Sequence, residues 1–170
     1  PNLRELNLSN TDMGGLLLPN FVKRCRRLEK ITCSQDSSCI LMDGTYMQYG
    51  NKLKEIIMDN SIFHCSKWPG RFGRHGISTK DEMSNSINHP NIFIFHKCCK
   101  VLERVSIRNA KYFCGYPHRS TNYSSVSISQ DFLVKFVRNS PSTMKWFRSD
   151  LTQENMNMLE KERPGIELLN

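Results

Sequence analysis

Apolar residues recur along this chain in one short phrase. Leu3, Leu6 and Leu8 set its spacing, and the same offsets return at Leu28, Ile31 and Cys33, at Leu53, Ile56 and Met58, and at Leu102, Val105 and Ile107. A weaker copy reads Met144, Phe147 and Ser149. Polar residues fill the positions between, so each phrase predicts a short strand with one apolar and one polar face. Before most of the later phrases the spacing becomes helical. Leu18, Phe21, Cys25 and Leu28 form one stripe, and Ile92, Phe95, Cys99 and Leu102 repeat its offsets. Phe132, Leu133, Phe136 and Val137 form a third stripe, with Asp131 near the helix start, while Tyr46 and Tyr49 give a weak version before Leu53. Strand and helix therefore alternate, which predicts a parallel sheet with helices as its outer wall. At the end of the chain, Thr152 to Leu159 reads as a short helix stopped by Pro164-Gly165, and Ile166-Glu167-Leu168 as a closing strand. The charged stretch from Glu160 to Arg163 is expected to be solvated.

The first three phrases start 25 residues apart, and the next two steps are 49 and 42 residues. The excess is placed in two loop insertions, at about 66–89 and about 111–127. Both enter after a strand and before a helix, so neighbouring units would carry them side by side. A phrase of this spacing with a period in the twenties resembles the leucine-rich repeat. At the ninth position stand Thr11, Asp36, Ser61, Ala110 and Thr152, all but Ala110 short polar residues able to bond the backbone where the chain leaves the strand. With its helical outer wall, this pattern resembles the ribonuclease-inhibitor-like and cysteine-containing repeat class, from Leu3 to about Leu168 outside the insertions. The resemblance implies a right-handed α/β solenoid of about five repeats plus a closing strand. It implies little about function, because such scaffolds are shared by proteins with unrelated roles.

The 170 residues suffice for one domain. The longest aliphatic and aromatic run, Ile92 to Phe95, stops at His96, too short to span a bilayer, so no membrane partner is expected. The chain opens on Pro1, and its first phrase begins at Leu3 with no polar cap before it. Residues 1–170 are therefore read as the C-terminal part of a repeat domain in a longer protein. Seven cysteines are an odd number, and Cys25, Cys33 and Cys99 occupy repeat-core positions where cysteine acts as a small hydrophobe. A reduced, intracellular protein of cytoplasm or nucleus is expected. A net charge of +8 attracts acidic partners.

Outward positions of a parallel stack line up as columns. One column reads Arg4, Glu29, Lys54, Glu103, Lys145, and the next Glu5, Lys30, Glu55, Arg104, Trp146. Their alternating signs predict a self-neutralising ladder that sets strand order, in preference to a charged groove. Two further columns run Asn7, Thr32, Ile57, Ser106, Arg148 and Ser9, Ser34, Asp59, Arg108, Asp150. Trp146, Arg148 and Arg108 are the candidate binding hot spot there, since Trp and Arg dominate interface energetics. The alternative is that Trp146 merely covers the end of the stack.

The insertions supply the other candidates: Trp68, Arg71, Phe72 and Arg74 in the first, and Tyr112, Tyr116 and Arg119 in the second. Aromatics interleaved with basic residues suit a protein-binding loop or a stacking platform for single-stranded nucleic acid. An ordinary loop with its aromatics tucked against the flank is the plainer alternative. His64, Cys65, Cys114 and His118 are of metal-ligand type, but no Cys-x-x-Cys pair exists, and no metal or cofactor is expected. Neither a glycine-rich phosphate loop nor a nucleophile with its base is present, so an enzyme is not expected. The resulting reading is a protein-recognition module, an intracellular adaptor or scaffold segment. RNA or single-stranded DNA binding through the insertions is the alternative. A narrower resemblance is to the substrate-receptor part of ubiquitin-ligase F-box proteins, although no F-box segment stands in this chain.

Overall fold

The computed structural model describes residues 2–11, 22–34, 39–41, 51–64, 99–113 and 125–170. Each phrase of the sequence forms a three-residue strand centred on its second apolar residue: β1 (Glu5–Asn7), β2 (Lys30–Thr32), β4 (Glu55–Ile57), β6 (Arg104–Ser106) and β9 (Trp146–Arg148). β10 (Glu167–Leu169) follows as the closing strand. All six pair in parallel in chain order, so the fold is α/β with a mostly parallel sheet. The register places Leu6, Ile31, Ile56, Val105, Phe147 and Leu168 in one row. Ile31, Ile56, Val105 and Phe147 are fully excluded from solvent.

Backbone bonding repeats at each step. The amides of Glu29 and Lys30 both donate to Arg4 O, those of Lys54 and Glu55 to Glu29 O, those of Glu103 and Arg104 to Lys54 O, and those of Lys145 and Trp146 to Glu103 O. Chain lengths between phrases differ nearly twofold, yet the strand-to-strand geometry does not change. The first slot of the phrase is buried at Leu28, Leu53, Leu102 and Met144 and exposed only at Leu3, on the edge strand. Cys25, Cys33 and Cys99 lie in the core, as their repeat positions predict.

A second sheet has no counterpart in the sequence reading. It contains β3 (Cys39–Leu41), β5 (Ile62–His64), β7 (Lys111–Phe113) and β8 (Ser125–Ser127). The first three run parallel, and β8 closes the sheet antiparallel to β7. The interval 111–127, read from sequence as one loop insertion, therefore begins and ends on paired strands. Its interior and the other insertion, at 66–89, lie outside the described residues, as do Leu18, Phe21, Tyr46, Tyr49, Ile92 and Phe95. The chain passes from a first-sheet strand to a second-sheet strand through an asparagine in the left-handed region, at Asn60 (φ 58°) and Asn109 (φ 54°). Asn10 adopts the same conformation (φ 58°) at the same offset after β1. Asparagine tolerates that conformation better than most residues, because its short amide can bond locally. Asn109 Nδ2 donates to Asn60 Oδ1 at 3.2 Å, tying consecutive turns together.

Two helices follow the described strands. In α1 (Gln130–Asn139), the Ser129 hydroxyl accepts from Phe132 N, and Phe132, Leu133, Val134, Phe136 and Val137 are buried. The Phe136 ring stacks on Phe147 with centroids 5.2 Å apart, which seats the helix on the sheet. In α2 (Gln153–Glu162), Thr152 accepts from Asn155 N, as a residue at the helix start should, and Met156 and Leu159 are buried. Arg163 lies just beyond α2 and donates to the carbonyls of Val137, Arg138 and Ser140, at 3.0, 3.0 and 3.3 Å. Those carbonyls end α1 and carry the negative end of its dipole, so a guanidinium is well matched to them. Among the described residues, no helix is long and apolar enough to cross a membrane.

A pH dependence follows from two exposed carboxylates. The hydrogen bond from Lys54, then its charge, and then Arg4 and Lys52 hold Glu29 below its ordinary value of 4.5. Arg138 does the same to Glu162, first by hydrogen bond and then by charge. A lowered folded pKa gives stability that is present above about 4.5 and lost as pH falls through the folded value. Urea midpoints measured from about pH 7 down to about pH 3 should therefore fall. Combining Glu29→Gln with Glu162→Gln should reduce that fall slightly, since both pairs are exposed. An undiminished slope in the double variant would show that other groups carry the acid sensitivity.

Candidate functional site

The exposed face of the first sheet is built by alternation: residues flanking the buried row along each strand point the other way. Across strands about 4.8 Å apart these side chains meet as neighbours. Arg4 to Glu29 (3.7 Å), Glu29 to Lys54 (2.9 Å) and Glu103 to Lys145 (3.2 Å) form ion pairs along one column. Lys30 to Glu55 (3.2 Å) forms one in the next. Opposite charges thus stand beside each other in the order that the columns predict. Each exposed pair contributes little to stability on its own.

The pattern changes toward the C-terminal end of the sheet. There the second column ends on Trp146, and the Arg104 guanidinium lies 4.7 Å from its ring centre. Arg148 approaches the same ring at 5.8 Å. A guanidinium within about 6 Å of an indole gains cation–π attraction. Trp146 is half-buried, and β10 lies on its far side, pairing Glu167 with Trp146 and Leu169 with Arg148. Trp146 therefore stands one strand in from the edge and does not cover the end of the stack. Leu169 is one of few large apolar side chains left exposed among the described residues.

Beneath this patch lies a charged network. Arg148 pairs through Nη2 with Asp59 Oδ2 and donates from Nε to Ser106 Oγ at 2.9 Å. The Ser106 hydroxyl donates to Asp59 Oδ1, which also accepts from Arg108 N at 2.9 Å. Asp59 and Ser106 are buried. A carboxylate accepting a guanidinium, a hydroxyl and an amide is well satisfied, which permits its burial. The network spans β6, since Asp59 follows β4 and Arg148 belongs to β9.

The chain matches no protein-family model and no curated protein. What the patch can do follows from its own atoms. Its three sequence candidates, Trp146, Arg148 and Arg108, do sit at one end of one face, but they are not equivalent. Arg148 turns its charge inward to Asp59, while Arg108 keeps its side chain exposed and gives only its amide to the network. Arg104, Leu169, Asp59 and Ser106 were not among the candidates. Arg104 was visible in the alternating column that ends at Trp146. The Asp59 contact was not, because it joins different columns across an intervening strand. Trp68, Arg71, Phe72, Arg74, Tyr116 and Arg119 lie outside the described residues. Tyr112 takes the central position of β7, paired with Phe63 and Val126. Of the metal-type set, Cys65, Cys114 and His118 are outside the described residues, and among the described residues no group of three or more His, Cys, Asp or Glu could hold a metal ion. The face offers an aromatic anchor, exposed guanidinium groups and an apolar neighbour, a set suited to contact with another molecule.

Proposed function

We propose that this chain is a leucine-rich-repeat solenoid segment of an adaptor or scaffold, and that its exposed sheet face recognises another protein. The repeat reading is supported by the recurrence of one phrase, one register and one backbone bonding pattern across β1, β2, β4, β6 and β9. The observation that carries the functional reading is Trp146, held half-buried between Arg104 and Arg148 on the face opposite the core row. Tryptophan flanked by arginine is the composition of interface hot spots, where truncation costs at least about 2 kcal/mol.

The test is capture of partners from lysate by the intact chain, with and without nuclease, using wild type and Trp146→Ala. A protein partner that survives nuclease should be held more than about tenfold less tightly by Trp146→Ala. The urea midpoint of the variant should stay close to wild type, since the core row faces the other way. Undiminished capture by the variant would remove Trp146 from the interface. Capture abolished by nuclease would favour nucleic-acid binding instead.

A further inference from the structure

The charges of the exposed face are not evenly matched. Arg4, Lys30, Lys54, Lys145 and Arg148 each have a carboxylate partner. Among the described residues, Arg104 and Arg108 have no ion pair, and both are exposed. Arg104 stands against the Trp146 ring, and the backbone of Arg108 is pinned, its amide to Asp59 and its carbonyl to Asn60 N. The Arg104 guanidinium and the Arg108 backbone are therefore held in place. Four residues of extended chain span at most about 14 Å, which bounds the distance between their Cα atoms. On the neighbouring strand Trp146 stands level with Arg104, and Arg148 level with Ser106, with Leu169 beside Arg148 on the strand beyond.

We infer that this face binds an extended peptide segment carrying two acidic residues three or four positions apart, with an apolar side chain between them. The inference rests on the protein-recognition reading above and names the chemistry of its partner. An extended peptide advances about 3.3 Å per residue, so carboxylates at that separation match Arg104 and Arg108. The apolar side chain would rest on Trp146 and Leu169. Asp59 already neutralises Arg148, Glu55 in register with Arg104 is held by Lys30, and Glu167 and Asp150 border the patch. A continuous phosphate backbone would meet those carboxylates, whereas two discrete acidic side chains can avoid them. The excess of 24 basic over 16 acidic residues in the chain favours the same sign of partner at long range.

The experiment is selection of extended nonapeptides from a random display library, using the intact chain and an Arg104→Glu, Arg108→Glu variant. Wild type should enrich Asp or Glu at two positions three or four apart with an apolar residue between. The variant, shown to be folded by a cooperative urea transition, should enrich Lys or Arg at those positions and bind the wild-type peptides at least about tenfold less tightly. No enrichment, or the same peptides enriched by both proteins, would overturn the inference. So would a twelve-nucleotide oligouridylate that binds wild type and not the variant. If lysate partners depend on Trp146 while the charge reversal changes nothing, protein recognition stands and the acidic-peptide inference fails. If neither substitution matters, both fail.

Discussion

Phe147→Ala is expected to destabilise the protein by about 3–5 kcal/mol, the range for emptying a large buried aromatic site. Phe147 has no solvent exposure, lies in register between Val105 and Leu168, and stacks on Phe136 with an interplanar angle of 19°. Its ring is one contact between α1 and the sheet. Shortening it removes apolar burial and leaves a cavity between two elements that cannot both move inward. The neighbouring Trp146→Ala should cost far less, because that ring is half-buried on the opposite face. Urea unfolding of the two variants side by side checks this. A loss below about 1 kcal/mol for Phe147→Ala would mean that α1 is not seated on β9.

Asp59→Ala should be the second large loss. It leaves the buried Ser106 hydroxyl and the Arg108 amide without their acceptor, and it strips Arg148 of its carboxylate. Removing one member of a buried ion pair costs about 3–5 kcal/mol. The Arg148 side chain is 36% exposed, so water can partly replace Asp59 and the expectation falls to about 1–3 kcal/mol. Arg148→Ala in the Asp59→Ala background should add less than it does in wild type. The difference, on the order of 1 kcal/mol, is the coupling between the two. Strict additivity in a double-mutant cycle would show that the pair does not act as a unit. The same cycle bears on binding, since loss of Asp59 frees Arg148 to move relative to Trp146.

The first sheet, the helices over 130–139 and 153–162 and the charge ladder are legible in the sequence because each depends on spacing within a short window. Leu6, Ile31, Ile56 and Val105 sit two or three residues from their phrase partners, and alternation alone says which way they face. Ser149 shows where that logic thins. It takes the slot filled elsewhere by Cys33, Met58 and Ile107, and its hydroxyl is buried without a hydrogen-bond partner among the described residues. The last phrase looks degraded in sequence because it tolerates that polar atom, yet β9 keeps its register.

The second sheet escaped the reading for the opposite reason. Cys39-Ile40-Leu41, Lys111-Tyr112-Phe113 and Ser125-Val126-Ser127 share no periodic pattern, and three residues are too few to show one. Ile62–His64 and Lys111–Phe113 lie side by side because turns at Asn60 and Asn109 follow neighbouring strands of the first sheet, and Cys39–Leu41 and Ser125–Ser127 pair on either side of them. Arg163 on the end of α1 and Arg148 on Asp59 belong to the same class, with partners 23–26 and 89 residues away. By itself the sequence determined where the strands of the first sheet and the helices over 130–139 and 153–162 start and which face of each is apolar, since local periodicity is set by backbone geometry. Only the tertiary structure decided which charges are paired within the fold and which, at Arg104 and Arg108, have no ion pair among the described residues. That choice depends on distances between strands, which no spacing along the chain encodes.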